Sequence, residues 1–175
     1  MIAFAVLALL APQDELVVRT WKKHVLSEEF KCEGATAGDF NKDGKTDVAA
    51  GPWWYEGPDF TKRHEFYPVL SWKKDNDYSN NFFAFPYDFN KDGWTDVLVY
   101  GFPGKDASWF ENPQGKGGGH WKKHEIWGNV DNESPTFTDV NGDGVPDIAC
   151  CSGGHIGYVT IADGKFHPVT PKGKY

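Results

Sequence analysis

Three nine-residue segments of the 175-residue chain concentrate oxygen-bearing side chains at a fixed spacing. Each has aspartate at its first, fifth and ninth positions, asparagine at its third and glycine at its sixth. The segments are 39–47 (DFNKDGKTD), 88–96 (DFNKDGWTD) and 139–147 (DVNGDGVPD). Ca²⁺ takes roughly 6–8 oxygen ligands, and a glycine lets the backbone turn sharply around the ion. The pattern therefore predicts that up to three Ca²⁺ ions bind to this chain.

In each acidic loop we expect four side chains and one backbone carbonyl, that of the seventh residue, to be ligands. The predicted ligands are Asp39, Asn41, Asp43, Lys45 and Asp47, then Asp88, Asn90, Asp92, Trp94 and Asp96, and finally Asp139, Asn141, Asp143, Val145 and Asp147. An EF-hand would place a glutamate at the twelfth position, and this chain has Ala50, Val99 and Cys150 there. The alternative is a set of Asx-rich turns that only satisfy their own backbone.

The acidic loops belong to a repeat of about fifty residues, the length of a four-stranded propeller blade. Their first residues lie 49 and 51 positions apart. An apolar stretch follows each loop, and a basic segment that ends in histidine precedes each loop, with a fourth copy near the carboxyl end. The basic segments are 21–24 (WKKH), 61–64 (TKRH), 121–124 (WKKH) and 164–167 (GKFH). An aromatic segment lies in between, at 54–58 (WYEGP) and 109–113 (WFENP).

We therefore predict an all-β fold of propeller-type, four-stranded antiparallel blades, with no long helix. Three complete blades are expected over 33–67, 82–126 and 134–169, with an extra outer strand at 20–25. Three blades and one further strand cannot close a ring of about 4–8 blades. We expect either a truncated copy of a longer protein, with further blades, or a chain that closes by self-association through its open strand edges.

The segments GDFNKDGKTDVAAG and TDVNGDGVPDIAC resemble FG-GAP/VCBS repeats, the blades of the integrin α-chain propeller and of many exported bacterial proteins. The resemblance extends over about residues 20–170. It implies that Ca²⁺ binds in the loop between the first and second strands of a blade, through the aspartates and asparagines named above.

Charge and the amino-terminal residues indicate where the protein works. The formal net charge of −7 argues against a nucleic-acid partner, since phosphate binding needs a basic face. Residues 1–11 are uninterruptedly apolar, too short to span a bilayer but suited to a secretory signal, which we place at 1–14. We expect a secreted or periplasmic protein without a membrane span, where calcium is plentiful enough for weak sites.

No catalytic constellation emerges from the sequence, so we expect a non-catalytic module. Four of the six histidines, His24, His64, His124 and His167, recur at one position of the repeat, as a structural residue would. The three cysteines give no disulfide framework. The alternative is a fragment of a propeller-containing polysaccharide lyase or hydrolase whose active site lies in missing blades.

An insertion at 68–81 is expected at the end of the blades opposite the acidic loops. Exposed aromatic residues beside polar ones can stack on a sugar or contact a peptide. We predict a carbohydrate or protein ligand there, with Trp72, Tyr78 and Trp53 as candidate binding residues. The alternative is that such aromatic side chains pack between blades.

Overall fold

The computed structural model describes residues 21–70, 77–116 and 118–173. This part of the chain forms twelve strands and no helix, so it contains no helix that is long and apolar enough to cross a membrane. The strands are β1 (Ala35–Gly38), β2 (Asp47–Ala50), β3 (Trp53–Tyr55), β4 (Arg63–Glu65), β5 (Phe83–Tyr87), β6 (Asp96–Tyr100), β7 (Lys105–Glu111), β8 (Lys122–Val130), β9 (Thr136–Thr138), β10 (Asp147–Ser152), β11 (His155–Thr160) and β12 (Lys165–Pro168).

The strands build three sheets, each a four-stranded antiparallel meander in chain order. The first sheet contains β1 to β4, the second β5 to β8 and the third β9 to β12, and no sheet closes on itself. The register between β7 and β8 shifts near Ala107, where a bulge lets β8 run on to Val130. The predicted all-β fold of three four-stranded blades is therefore confirmed.

The second sheet lies between the other two, and β6 explains why. All five residues of β6 are buried. Val97 and Val99 belong to the core shared with the first sheet, whereas Leu98 and Tyr100 belong to the core shared with the third sheet. Successive side chains of a strand point to opposite faces, so a continuous apolar run is what a strand covered on both faces requires.

Aromatic rings dominate the core between the first and second sheets. Phe66 is fully buried, and its ring lies 5.4 Å from that of Phe110 and 5.2 Å from that of Trp121, between ring centroids. Phe40, from the first acidic loop, lies 6.1 Å from Trp54 in the same cluster. Burial of each such side chain contributes about 1.5–3 kcal/mol. The acidic loop is thus anchored in the core by its own second residue.

Residues 21–25 do not form the extra outer strand that the sequence predicts over 20–25. All five are exposed, and none pairs with a strand of the described chain. His24 instead packs edge-on against Phe60, with 5.0 Å between ring centroids. A strand needs a neighbour to accept its backbone hydrogen bonds, and the sheets described here offer none at this point. The predicted signal segment at 1–14 lies outside the described residues.

Candidate functional site

The acidic loops connect the first and second strands of each sheet. The first joins β1 to β2, the second joins β5 to β6, and the third joins β9 to β10. Strands flank every loop, as the antiparallel hairpins of a blade require. The three loops therefore occupy equivalent places at the same end of their sheets.

The backbone of the three loops follows one path. The sixth residue has a positive φ in each: +80° at Gly44, +81° at Gly93 and +84° at Gly144. The fourth residue also lies in the left-handed region, at 60° for Lys42, 58° for Lys91 and 81° for Gly142. The sequence predicted the turn at the sixth residue only. Glycine at position 142, where the other copies have lysine, was the available signal for the turn at the fourth.

The first, third and fifth side chains of each loop turn inwards onto the loop's own amide groups. In the first loop, Asp39 accepts hydrogen bonds from the amides of Asp43 (3.1 Å) and Gly44 (2.9 Å). Asn41 Oδ1 accepts from Asp43 (3.0 Å), and Asp43 Oδ1 accepts from the amide of Lys45 (2.9 Å). The second and third loops repeat all four bonds within 0.2 Å.

The ninth-position aspartates lie beneath the loops, buried and bonded to the backbone. Asp47 and Asp96 are 0% exposed and Asp147 is 2% exposed. Oδ2 of each accepts the amide of the loop's second residue, at 2.9, 2.9 and 3.0 Å. Oδ1 of Asp47 accepts the amide of Gly57 at 2.8 Å, and Oδ1 of Asp96 accepts that of Asn112 at 2.8 Å. In the first two sheets these carboxylates therefore tie the loop to the end of the third strand.

The loops carry the oxygen-bearing side chains that a hard cation prefers, but these side chains do not converge on a common point. Among residues 21–70, 77–116 and 118–173, no three His, Cys, Asp or Glu side chains converge to hold a metal ion. A carboxylate oxygen that accepts one amide proton still has a lone pair for a cation. The donor types are those that Ca²⁺ prefers. Calcium binding through these residues, and through the carbonyls of Lys45, Trp94 and Val145, stays a prediction.

The loops differ in which side chain donates to the fifth-position aspartate. In the first loop, Lys45 Nζ lies 3.1 Å from Asp43 Oδ2. In the second, Gln114 Nε2 donates to Asp92 Oδ2 at 2.8 Å. In the third, Asp143 Oδ2 accepts from Asn141 Nδ2 at 2.9 Å, and no ion pair to this loop occurs in the described chain. Among the described residues, only the first loop has an ion pair, so the second and third loops each have three carboxylates and no paired cation.

Hydrogen bonds and burial act in opposite directions on the loop carboxyl groups. The amide of Lys45 and then its ammonium lower the pKa of Asp43. The Gln114 amide lowers the pKa of Asp92, and the amide of Gly144 lowers that of Asp139. Burial raises the pKa of Asp96 to about 6, against the amides of Asn112 and Phe89. At neutral pH Asp43, Asp92 and Asp139 are therefore ionised and able to attract a cation.

Asn112 connects two neighbouring loops, a link that sequence reasoning missed. Its side chain is 3% exposed, and Nδ2 donates to Phe40 O at 2.8 Å and to Thr95 O at 3.0 Å. Phe40 belongs to the first loop and Thr95 to the second. The only sequence signal at this position was a difference between the repeats: Asn112-Pro113 follows the second aromatic segment, whereas Gly57-Pro58 follows the first.

The fourth-strand histidines are packed as structural residues. Each stacks on an aromatic ring of the third strand, with centroids 4.2 Å apart for His64 on Trp54, 4.1 Å for His124 on Trp109 and 4.9 Å for His167 on Tyr158. Two of them also contact a glutamate through Nε2, His64 with Glu56 at 2.7 Å and His124 with Glu111 at 2.6 Å. Their recurrence in the sequence reflects this cross-strand packing.

The predicted ligand-binding residues do not all come together. Tyr78 lines a cavity between the first and second sheets. Trp53 is 8% exposed, does not line that cavity, and packs under the guanidinium of Arg63, 4.4 Å from its ring centroid. Trp53 therefore packs against the neighbouring strand of its own sheet, and not at the cavity with Tyr78. Trp72 lies outside the described residues.

Four-stranded antiparallel sheets, each with an acidic loop between its first and second strands, are the blades of a propeller-type repeat protein. Residues 88–150 match the family model of the FG-GAP-like repeat. This span begins at the first aspartate of the second loop and ends within β10, so it includes two of the three acidic loops. The chain carries an FG-GAP-like repeat, and the resemblance is confirmed over this span. Comparison with curated proteins and with solved structures gives no significant match.

Proposed function

We propose that this chain is a non-catalytic, calcium-binding repeat module of an exported protein, with a carbohydrate or a protein as its ligand. The first-strand to second-strand loops would hold up to three Ca²⁺ ions. In each loop the first, third, fifth and ninth side chains and the seventh carbonyl are the candidate ligands. The ion would supply positive charge at a turn that otherwise brings three carboxylates together.

The observation that carries the proposal is the identity of the three loops. In all three loops the fourth and sixth residues have a left-handed backbone conformation, and the same four hydrogen bonds turn the side chains inwards. The loops nevertheless belong to three different sheets. Amide groups that already orient the carboxylates reduce the side-chain entropy that a metal site must overcome. A cation bound there would stiffen the hairpin that begins each blade.

The remaining parts of the proposal rest on chemistry and on sequence. Stacked and glutamate-paired histidines favour a structural role over catalysis. The apolar run at 1–11 favours export, and dissociation constants of about 10⁻⁴–10⁻³ M would suit the calcium concentrations outside the cell.

Calorimetric titration of the purified chain with CaCl₂ tests the proposal. We expect binding of up to three ions, and Asp143→Asn should weaken one of them because it removes a carboxylate from a loop without a paired cation. Asp59→Asn is the matched control, since Asp59 is an exposed aspartate that accepts the amide of Thr61 in an ordinary turn. No binding at millimolar calcium, or equal losses in the two variants, would refute calcium binding by the loops.

A further inference from the structure

A cavity of about 440 Å³ opens between the first and second sheets. Its walls come from Tyr67, two residues after β4, from the segment before β5, from the β6–β7 connection, and from side chains of β6, β7 and β8. In an antiparallel meander, the connection between second and third strands lies at the opposite end from that between first and second. The β6–β7 end of the cavity therefore lies away from the acidic loops, and its volume is in the range of small-molecule sites, roughly 300–1,000 Å³.

Two exposed aromatic rings stand at this cavity. Tyr78 is 60% exposed and Phe102 is 38% exposed, with 4.9 Å between their ring centroids. Phe82 lies behind them, 5.6 Å from Tyr78 and 5.5 Å from Phe102. The Tyr78 and Phe102 rings are tilted by 36° to one another, so together they provide an angled apolar surface that water covers poorly.

Hydrogen bonds fix the segments that carry these rings. The amide of Lys105 donates to Phe102 O at 2.9 Å, and the amide of Gly104 donates to Val130 O at 2.6 Å, which pins the β6–β7 turn. Beside Tyr78, the Ser79 hydroxyl donates to the carboxylate of Glu33. The rings are therefore positioned before any ligand arrives, which lowers the entropic cost of binding.

Polar groups face the same cavity. Lys123 Nζ lies 2.7 Å from Asp106 Oδ2, and the buried Ser108 hydroxyl donates to the same oxygen at 2.5 Å. Burial alone would raise the pKa of Asp106, but the Lys123 ammonium and the Ser108 hydroxyl together lower it, so the group is a carboxylate. With Asp77 and Lys105, the charged lining residues have a net charge of zero.

We propose that this cavity binds a neutral sugar ring through the faces of Tyr78 and Phe102. A pyranose presents a C–H face that stacks on aromatic rings and a rim of hydroxyls that can bond to Asp106, Ser108 and Lys123. Zero net charge gives no preference for an acidic sugar or a phosphate. A peptide would be favoured by an open strand edge, whereas this cavity lies at the end of a hairpin. The inference rests on the proposed binding role and does not depend on calcium.

Saturation-transfer NMR and calorimetry with the methyl glycosides of glucose, galactose, mannose and glucuronic acid test the assignment. We expect one or more neutral glycosides to bind with a dissociation constant of about 1 mM, as suits a ligand of about a dozen heavy atoms. Tyr78→Ala and Phe102→Ala should each weaken binding about tenfold. Tyr78→Phe should retain it, because the ring face remains. Trp21→Ala is the control, since Trp21 is 88% exposed and lies outside the cavity.

Each titration is run with calcium and with a chelator, and circular dichroism confirms that every variant is folded. Neutral glycosides that bind in a Tyr78-dependent way support the cavity even if the chain binds no calcium. Calcium binding without any glycoside binding up to about 30 mM would overturn the cavity assignment and leave the calcium proposal standing. Preferential binding of the glucuronide, or Tyr78-dependent binding of a mixed peptide library without glycoside binding, would also overturn it.

Discussion

Replacing Asn112 with alanine should destabilise the protein far more than an ordinary surface change does. The side chain makes three hydrogen bonds, two from Nδ2 to the carbonyls of Phe40 and Thr95 and one in which Oδ1 accepts the amide of Gln114 at 3.0 Å. Each is worth about 0.5–1.5 kcal/mol in a folded protein. Their sum predicts a loss of about 3 kcal/mol in the free energy of unfolding, since the site is nearly closed to water.

Thermal and urea denaturation monitored by circular dichroism measure this loss. In a chain of this size, about 3 kcal/mol corresponds to a decrease in Tm of roughly 6–12 °C. Asn80→Ala is the control, because Asn80 is exposed and its removal should change stability by no more than about 0.5 kcal/mol.

A second substitution separates the hydrogen bonds from the loss of side-chain volume. Asn112→Asp keeps Oδ1 but places a carboxylate oxygen opposite two carbonyl oxygens, so at pH 7 it should destabilise more than alanine does. Acidification should partly restore its stability, because protonation returns one donor. If Asn112→Ala behaves like the Asn80 control, the link between neighbouring loops is not a significant interaction and this interpretation fails.

Two further predictions concern charged pairs. Lys45→Met should raise the calcium affinity of the first loop about two- to fivefold in a calorimetric titration, because the ammonium at 3.1 Å from Asp43 competes with the metal. Glu56→Gln should lower stability at pH 7, because the pKa of Glu56 is lowered. The hydrogen bond from Lys62 is the largest cause, the contact with His64 adds to it, and partial burial opposes both. A lowered carboxyl pKa stabilises the fold above 4.5, its ordinary value, and that contribution disappears as the pH falls through the folded pKa.

Each of these predictions has a matched control. Lys91→Met removes an exposed lysine from the second loop that forms no ion pair among the described residues, and it should change calcium affinity less than Lys45→Met. Equal effects would mean that net charge alone matters. For the pH effect, urea denaturation of the wild type and Glu56→Gln should differ at pH 7, and the difference should shrink as the pH falls below 4.5. The exposed Glu28→Gln should match the wild type throughout, and a Glu56→Gln difference that does not shrink on acidification would contradict the assignment.

Local patterns in the sequence predicted most of the fold. Within each sheet, every strand pairs with the next strand in the chain, so its partner lies nearby in the sequence. The spacing of the acidic loops and the apolar run at 97–100 were therefore enough to place the four strands of each sheet. The extra strand at 20–25 could not be judged that way. Residues 21–24 resemble the basic fourth strands, but strand formation depends on a partner that the local pattern does not contain.

The candidate site was predictable only in part, for the same reason. The nine-residue pattern identified the loops, yet it gave no sign that Asp47 and Asp96 are buried and bonded to amides of the segments that follow the third strands. Asn112 bonds to a carbonyl 72 positions away, which no local pattern shows. Tyr78 and Phe102 meet because the segment before β5 folds over the β6–β7 turn. Trp53 was expected beside Tyr78 from the order of the strands alone, and it does not line that cavity.

Native mass spectrometry of the intact chain in millimolar calcium measures directly whether the three acidic loops hold calcium. We expect species with up to three bound ions, and one fewer when Asp139 and Asp143 are both changed to asparagine. A chain that binds no calcium under these conditions, or whose number of bound ions does not change with that double substitution, would contradict the account.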